Sequence, residues 1–166
     1  MTHNKTLSCT AYKNHKTNLR QLALENKFQM ILASLDKNFI IWLNERVLKE
    51  DDPSLTSIVI NEGNIEGAIY SAILDFEINR SISRSLAVLV HHLVIGHPFA
   101  DGNKRTVTAL LITILSKLYE RDIAIDESLM NSLITTIAKI SNEPENDVDE
   151  LQRIIEEIMK RLTNPY

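Results

Sequence analysis

The chain has one cysteine, four glycines and four prolines in 166 residues. A lone thiol, Cys9, excludes an internal disulfide framework and suits a reducing compartment. With so little glycine and proline, turns are few and helices are the expected building blocks. The N-terminus (MTHNKTLSCTAYKNHK) has no apolar stretch of the kind a signal peptide needs. Nor does any apolar run approach the length that spans a bilayer. The formal charge is -4 at pH 7, without the basic surplus on which general nucleic-acid binding draws. These absences predict a cytoplasmic protein with neither membrane nor nucleic acid as a direct partner.

What is present amounts to one well-buried domain, given this length and a hydrophobic content of 44%. Residues 1–16 are polar and patternless, and are expected to fray. Residues 17–60 read as N-terminal helices and 61–166 as the core of the same domain. Phe28, Ile31, Leu32, Leu35, Phe39, Trp42, Leu43 and Val47 recur at steps of three or four, the pattern of one buried helical face. Asp52-Pro53 reads as a cap and first-turn proline, predicting a short helix over Ser54–Ile60. Asn64 reads as the cap of the next helix, with Ile65, Ile69, Ala72, Ile73 and Phe76 on its stripe.

SRSLAVLVHHLVI (Ser83–Ile95) is too apolar for a surface helix and is expected to be central, ending at Gly96. A second buried helix runs over Val107–Tyr119. Two more are expected near Glu127–Ser141 and Asp147–Leu162, parted by the turn-like SNEPEND. The acidic run Glu143–Glu150 reads as a solvated face. The fold class is therefore all-α, a compact helical bundle.

Between the two buried helices lies HPFADGNKRT (His97–Thr106). A plain connector accounts for Gly96, Asp101 and Gly102, but not for a histidine, a phenylalanine and a Lys-Arg pair within ten residues. The helix start at Asn103 offers unpaired backbone N–H groups and the positive end of a dipole, which suit a phosphate. Gly102 lets phosphate oxygens approach the backbone. Lys104 and Arg105 add charge, Arg as a two-pronged donor. Asp101 supplies a hard oxygen for Mg²⁺. A histidine exchanges protons near neutral pH, so His97 is the candidate base. Phe99 is the candidate anchor of the loop in the core. The set suits base-assisted transfer of a phosphoryl-type group.

The loop resembles the signature of the Fic/Doc (Fido) superfamily, H-x-F-x-[D/E]-[G/A]-N-[G/K]-R, at every defined position: His97, Phe99, Asp101, Gly102, Asn103, Lys104 and Arg105. The wider similarity runs from about residue 62 to 162. The resemblance implies an all-α fold with the loop between two central helices. It implies His97 as the base that activates a hydroxyl of a target protein, Asp101 as the Mg²⁺ holder, and Gly102, Asn103 and Arg105 as the nest for nucleotide phosphates. ATP is then the co-substrate. The family most often moves AMP onto Ser, Thr or Tyr, but that branch has glycine where this chain has Lys104 and a second arginine where it has Thr108. Lys-Arg-Thr looks like the death-on-curing (Doc) branch, in which the nucleotide is thought to bind reversed and the γ-phosphate is moved. Phosphotransfer is therefore the preferred reading and AMP transfer the alternative. A non-catalytic toxin–antitoxin or interaction module, and a nucleotide hydrolase, are further readings.

Many Fic proteins also carry an inhibitory helix ending in Glu-Gly or Glu-Asn. Glu66-Gly67 matches that end but not its start, so Glu66 is a candidate inhibitor of Arg105, beside the simpler reading of an acid near a helix N-terminus. The resemblance also implies a target-docking flap beside the site, within Leu74–Ser81. Target protein, antitoxin-like partner and a second copy of the chain are the partners considered. His91 and His92 point to different sides of a helix and suit packing better than zinc. No phosphate loop of the G-x-x-x-x-G-K-[S/T] type and no protein-kinase signature set is present.

Overall fold

The computed structural model describes the backbone of residues 4–143 and 148–163, with side chains from Thr17 onward. Among these residues the chain forms seven α-helices: α1 (Asn4–Ser34), α2 (Lys37–Lys49), α3 (Glu62–Asn79), α4 (Ile82–Gly96), α5 (Asn103–Tyr119), α6 (Glu127–Asn142) and α7 (Val148–Thr163). The expected all-α bundle is what forms. The backbone is helical from Asn4, inside the stretch expected to fray. Part of SNEPEND and of the acidic run, residues 144–147, lies outside the described residues.

α4 is the axis of the bundle. Ten of its fifteen residues are buried, so it is apolar all round, as a helix enclosed by neighbours must be. It packs against α3, α5, α6 and α7. The buried hydroxyl of Ser85 donates to the Ala72 carbonyl at 2.7 Å and ties α4 to α3. α5 buries Val107, Leu110, Leu111, Ile114, Leu115 and Leu118, the expected set at the expected spacing. α2 lies against α5.

The first long stripe is broken where the sequence suggested continuity. α1 ends at Ser34, and α2 restarts behind Asp36, whose carboxylate accepts from the Phe39 N–H at 2.8 Å. A new N-cap costs little here, because it satisfies donors that the break exposes. The restart turns Trp42 outward, 53% exposed. Its ring stacks on Phe39 (centroids 5.8 Å apart) and carries the Arg46 guanidinium at 5.4 Å.

Ser54–Ile60 is not a helix. Asp52 uses its carboxylate for the N–H and hydroxyl of Ser54, at 2.9 and 2.7 Å, and these bonds hold its carboxyl below the usual carboxylate range. The same Asp that can cap a helix has closed a local turn instead. The chain then runs extended to Asn61, which, rather than Asn64, caps α3 with a side-chain bond to the Asn64 N–H at 3.3 Å. Leu74–Asn79 is the last part of α3, so it forms no flap.

Candidate functional site

α4 ends with His97 in the left-handed region (φ 40°). The helix ends at Gly96, as expected, with His97 as the left-handed residue that follows. The lack of a side chain at Gly96 serves packing, since a Cβ there would lie 3.0 Å from the Asn64 Cβ. Asn64 donates its amide N–H to the Gly96 carbonyl at 2.6 Å, satisfying one of the carbonyls that a helix end leaves free. The residue beside the site is thus fixed from α3.

The following loop divides its residues by burial. Pro98, Phe99, Gly102 and Thr106 are buried, whereas His97, Asp101, Lys104 and Arg105 are exposed. Phe99 is 2% exposed and joins the core. Asn103 clasps the loop from within. Its Oδ1 accepts from the Phe99 N–H at 3.0 Å and its Nδ2 donates to the Phe99 carbonyl at 2.7 Å. The loop is also paired with the extended segment before α3. Ile60 N–H donates to Pro98 O at 2.8 Å, Ala100 N–H donates to Ile58 O at 3.0 Å, and Val59 faces Phe99 in an antiparallel bridge.

Gly102 begins α5 with φ 76°, a left-handed turn that glycine adopts at no steric cost. The Asp101 carboxylate accepts from the Gly102 N–H at 2.5 Å. No side chain caps α5. By contrast, Asp36, Asn61, Ser81 and Asp126 cap α2, α3, α4 and α6. The N–H groups of Asn103, Lys104 and Arg105 therefore have no protein acceptor among the described residues. Arg105 is held by Asp51 and by the Val47 carbonyl at 3.4 Å. Lys104 has no ion pair among the described residues. Beside it lies a cavity of about 310 Å³, lined by Lys104, Arg105, Thr108 and, on its apolar side, Val47, Ile112 and Ile134.

His97 and Asp101–Arg105 thus lie on one connection from α4 into α5, with the four ionisable side chains exposed. The structure does not bring Glu66 to Arg105. Glu66 pairs with Lys37 of α2 at 3.0 Å, as does Glu62 at 2.9 Å, and these two acids raise the Lys37 pKa above its ordinary value. His91 and His92 pack edge to face, 5.7 Å apart, and no three-residue cluster able to enclose a metal exists among the described residues. A lone carboxylate beside free helix N–H groups fits Mg²⁺ only in company with substrate phosphates, which is this ion's usual arrangement.

The sequence reading missed Asn44. It is fully buried in α2, 57 residues before Asp101, and donates from Nδ2 to the Asp101 carbonyl at 2.9 Å and to the Thr106 hydroxyl at 3.0 Å. Its only early signal was an amide set among the apolar residues of an amphipathic stripe, which periodicity alone reads as surface.

The domain is all-α, with an uncapped, glycine-started helix directly behind a histidine-bearing loop. The chain matches the Fic/DOC family over residues 29–115, more than half of its length, and belongs to that family. The matched span starts well before residue 62 and includes α2, the helix that supplies Asn44. No curated protein and no solved structure matches the chain. No helix among the described residues is long and apolar enough to cross a membrane.

Proposed function

We propose that the protein is a Doc-like phosphotransferase that moves the γ-phosphate of ATP to a hydroxyl side chain of a target protein. The observation that carries this reading is the open first turn of α5. Among α2 to α6, whose N-caps are described, α5 alone starts without a side-chain cap, and Lys104 beside it has no ion pair among the described residues. Preorganised donors of this kind stabilise phosphoryl oxygens without reorganising during reaction.

Lys104 also argues for the direction of transfer. It occupies the room that a glycine leaves in the AMP-transferring branch, and the place of that branch's second arginine is taken by the neutral Thr108. The cavity beside Lys104 runs along α5 toward Ile112, away from the loop. A nucleoside held there would direct its phosphates back along the α5 N-terminus and present the terminal phosphate at the loop. The target hydroxyl loses its proton to the His97 imidazole as its oxygen bonds to the γ-phosphorus. The bond from that phosphorus to the β–γ bridging oxygen breaks, and ADP leaves with the electron pair. Asp101, with the substrate phosphates, would hold Mg²⁺, which supplies neutralisation of phosphate charge. The extended segment Ile58–Asn61, paired with the loop and exposing Ile58 and Ile60, takes the target-docking role first placed at Leu74–Ser81.

The test is incubation with cell extract and ATP labelled at either the α- or the γ-phosphate. Label should pass to protein from the γ position alone, and not with His97→Ala. Transfer from the α position would establish AMP transfer instead. Transfer from neither, with the variant like wild type, would leave the interaction-module reading.

A further inference from the structure

We propose that Asn44 is a positioning residue that couples the extended docking segment to the main chain of Asp101, the residue whose carboxylate would hold Mg²⁺. This rests on the reading of Asp101 given above. The amide orientation is settled by its partners. The Asp101 carbonyl can only accept, so the Asn44 NH₂ group faces it, 2.9 Å away. The Asn44 Oδ1 then accepts from the Ser57 hydroxyl at 2.6 Å.

One buried side chain therefore ties four parts of the protein. It belongs to α2, holds the loop at the Asp101 carbonyl, holds the first turn of α5 at Thr106, and holds the extended segment at Ser57. Ser57 immediately precedes Ile58, whose carbonyl receives the Ala100 N–H. The loop is consequently gripped from the same segment at Ala100 and, through Asn44, at Asp101. A Cβ on Gly102 would stand 2.9 Å from the Asn44 nitrogen, so the close approach of α2 to the loop is built into the motif's glycine. An amide that is fully desolvated holds its geometry strictly, because each lost bond leaves a buried polar group unpaired.

A displacement of Ser57 by a docked target must move Asn44 or break its bond, and Asn44 cannot move without releasing Asp101. The segment and the carboxylate are thereby set together. Asn44 acts through the main chain that carries the Asp101 carboxylate, and outer partners of a metal-binding side chain typically change metal affinity by about 10–100-fold when removed.

The experiment is a calorimetric titration of the full chain with ATP, with Mg²⁺ and again with EDTA, and with inorganic triphosphate in EDTA. Wild type should bind ATP more tightly with Mg²⁺. Asn44→Asp keeps the acceptor for Ser57 and loses the donors to Asp101. It should lose about tenfold or more of the Mg²⁺-dependent gain while metal-free triphosphate binding stays within about twofold. Ser57→Ala, on a partly exposed residue, should lose a smaller but measurable share of the gain, and decides the matter if Asn44→Asp does not fold. A gain retained in both variants overturns the proposal, as does an equal loss of metal-dependent and metal-free binding, the signature of a purely structural role. Absence of any Mg²⁺ gain in wild type removes the metal-holding role of Asp101 and this proposal with it. Retention of the gain by the variants removes only the proposal.

Discussion

Gly102 bears two demands at one position. Its φ of 76° is strained for any side chain, and a Cβ would press on Asn44 and on Leu48 at 2.9 and 3.1 Å. Gly102→Ala should cost about 1–3 kcal/mol of stability, read as a lower denaturant midpoint with an unchanged slope. Tyr119 makes a different case. Its hydroxyl is buried with no hydrogen-bond partner among the described residues, and burial raises its pKa above the ordinary 10.0. The folded state keeps the phenolic proton longer than the unfolded chain does. That contribution is present below pH 10 and is lost as pH rises toward the folded value. Tyr119→Phe should therefore flatten the alkaline part of a stability–pH profile, and should leave stability at pH 7 unchanged or raised by up to about 1 kcal/mol. A variant that steepens the alkaline loss would contradict this account.

At the level of elements, the approach of α2 to α5 governs access to the loop. Asp51, just past the end of α2, pairs with Arg105. The pair is substantially exposed, and such pairs contribute little to stability, so phosphate oxygens can replace it. Asp51→Asn should tighten ATP binding by about two- to threefold while leaving thermal stability nearly unchanged. A weakened affinity would show that Asp51 orients Arg105 rather than competing for it. The same contact explains why Glu66 was ambiguous in the sequence. Glu66 ends like an inhibitory pattern and is equally an acid near a helix start, and in the fold Lys37, restarting the chain in α2, takes both Glu66 and Glu62. Elements whose identity rests on repeated apolar spacing, α4 and α5 above all, were legible. Ser54–Ile60 was not, because Asp52-Pro53 suits both a helix start and a turn, and the choice is made by pairing with Pro98–Ala100, some forty residues ahead.

Across the whole molecule, the chemistry and its support were legible to different degrees. His97, Asp101 and Lys104 sit within eight consecutive positions, so a local pattern sufficed to name them. Asn44 and Asn64 act on that loop over long separations, and Ser57 acts through Asn44 from an extended segment; no local pattern distinguishes them from other polar residues. The bundle nevertheless makes the two sets one unit, with α3 fixing the end of α4, α2 fixing Asp101, and α4 seating both in the core.

The proposed reaction moves the terminal phosphate of ATP to a protein hydroxyl at this loop. Mass spectrometry of a protein modified by wild type and left unmodified by His97→Ala tests it most directly. The account predicts a phosphate on a serine, threonine or tyrosine hydroxyl. An adenylate at that position would contradict it.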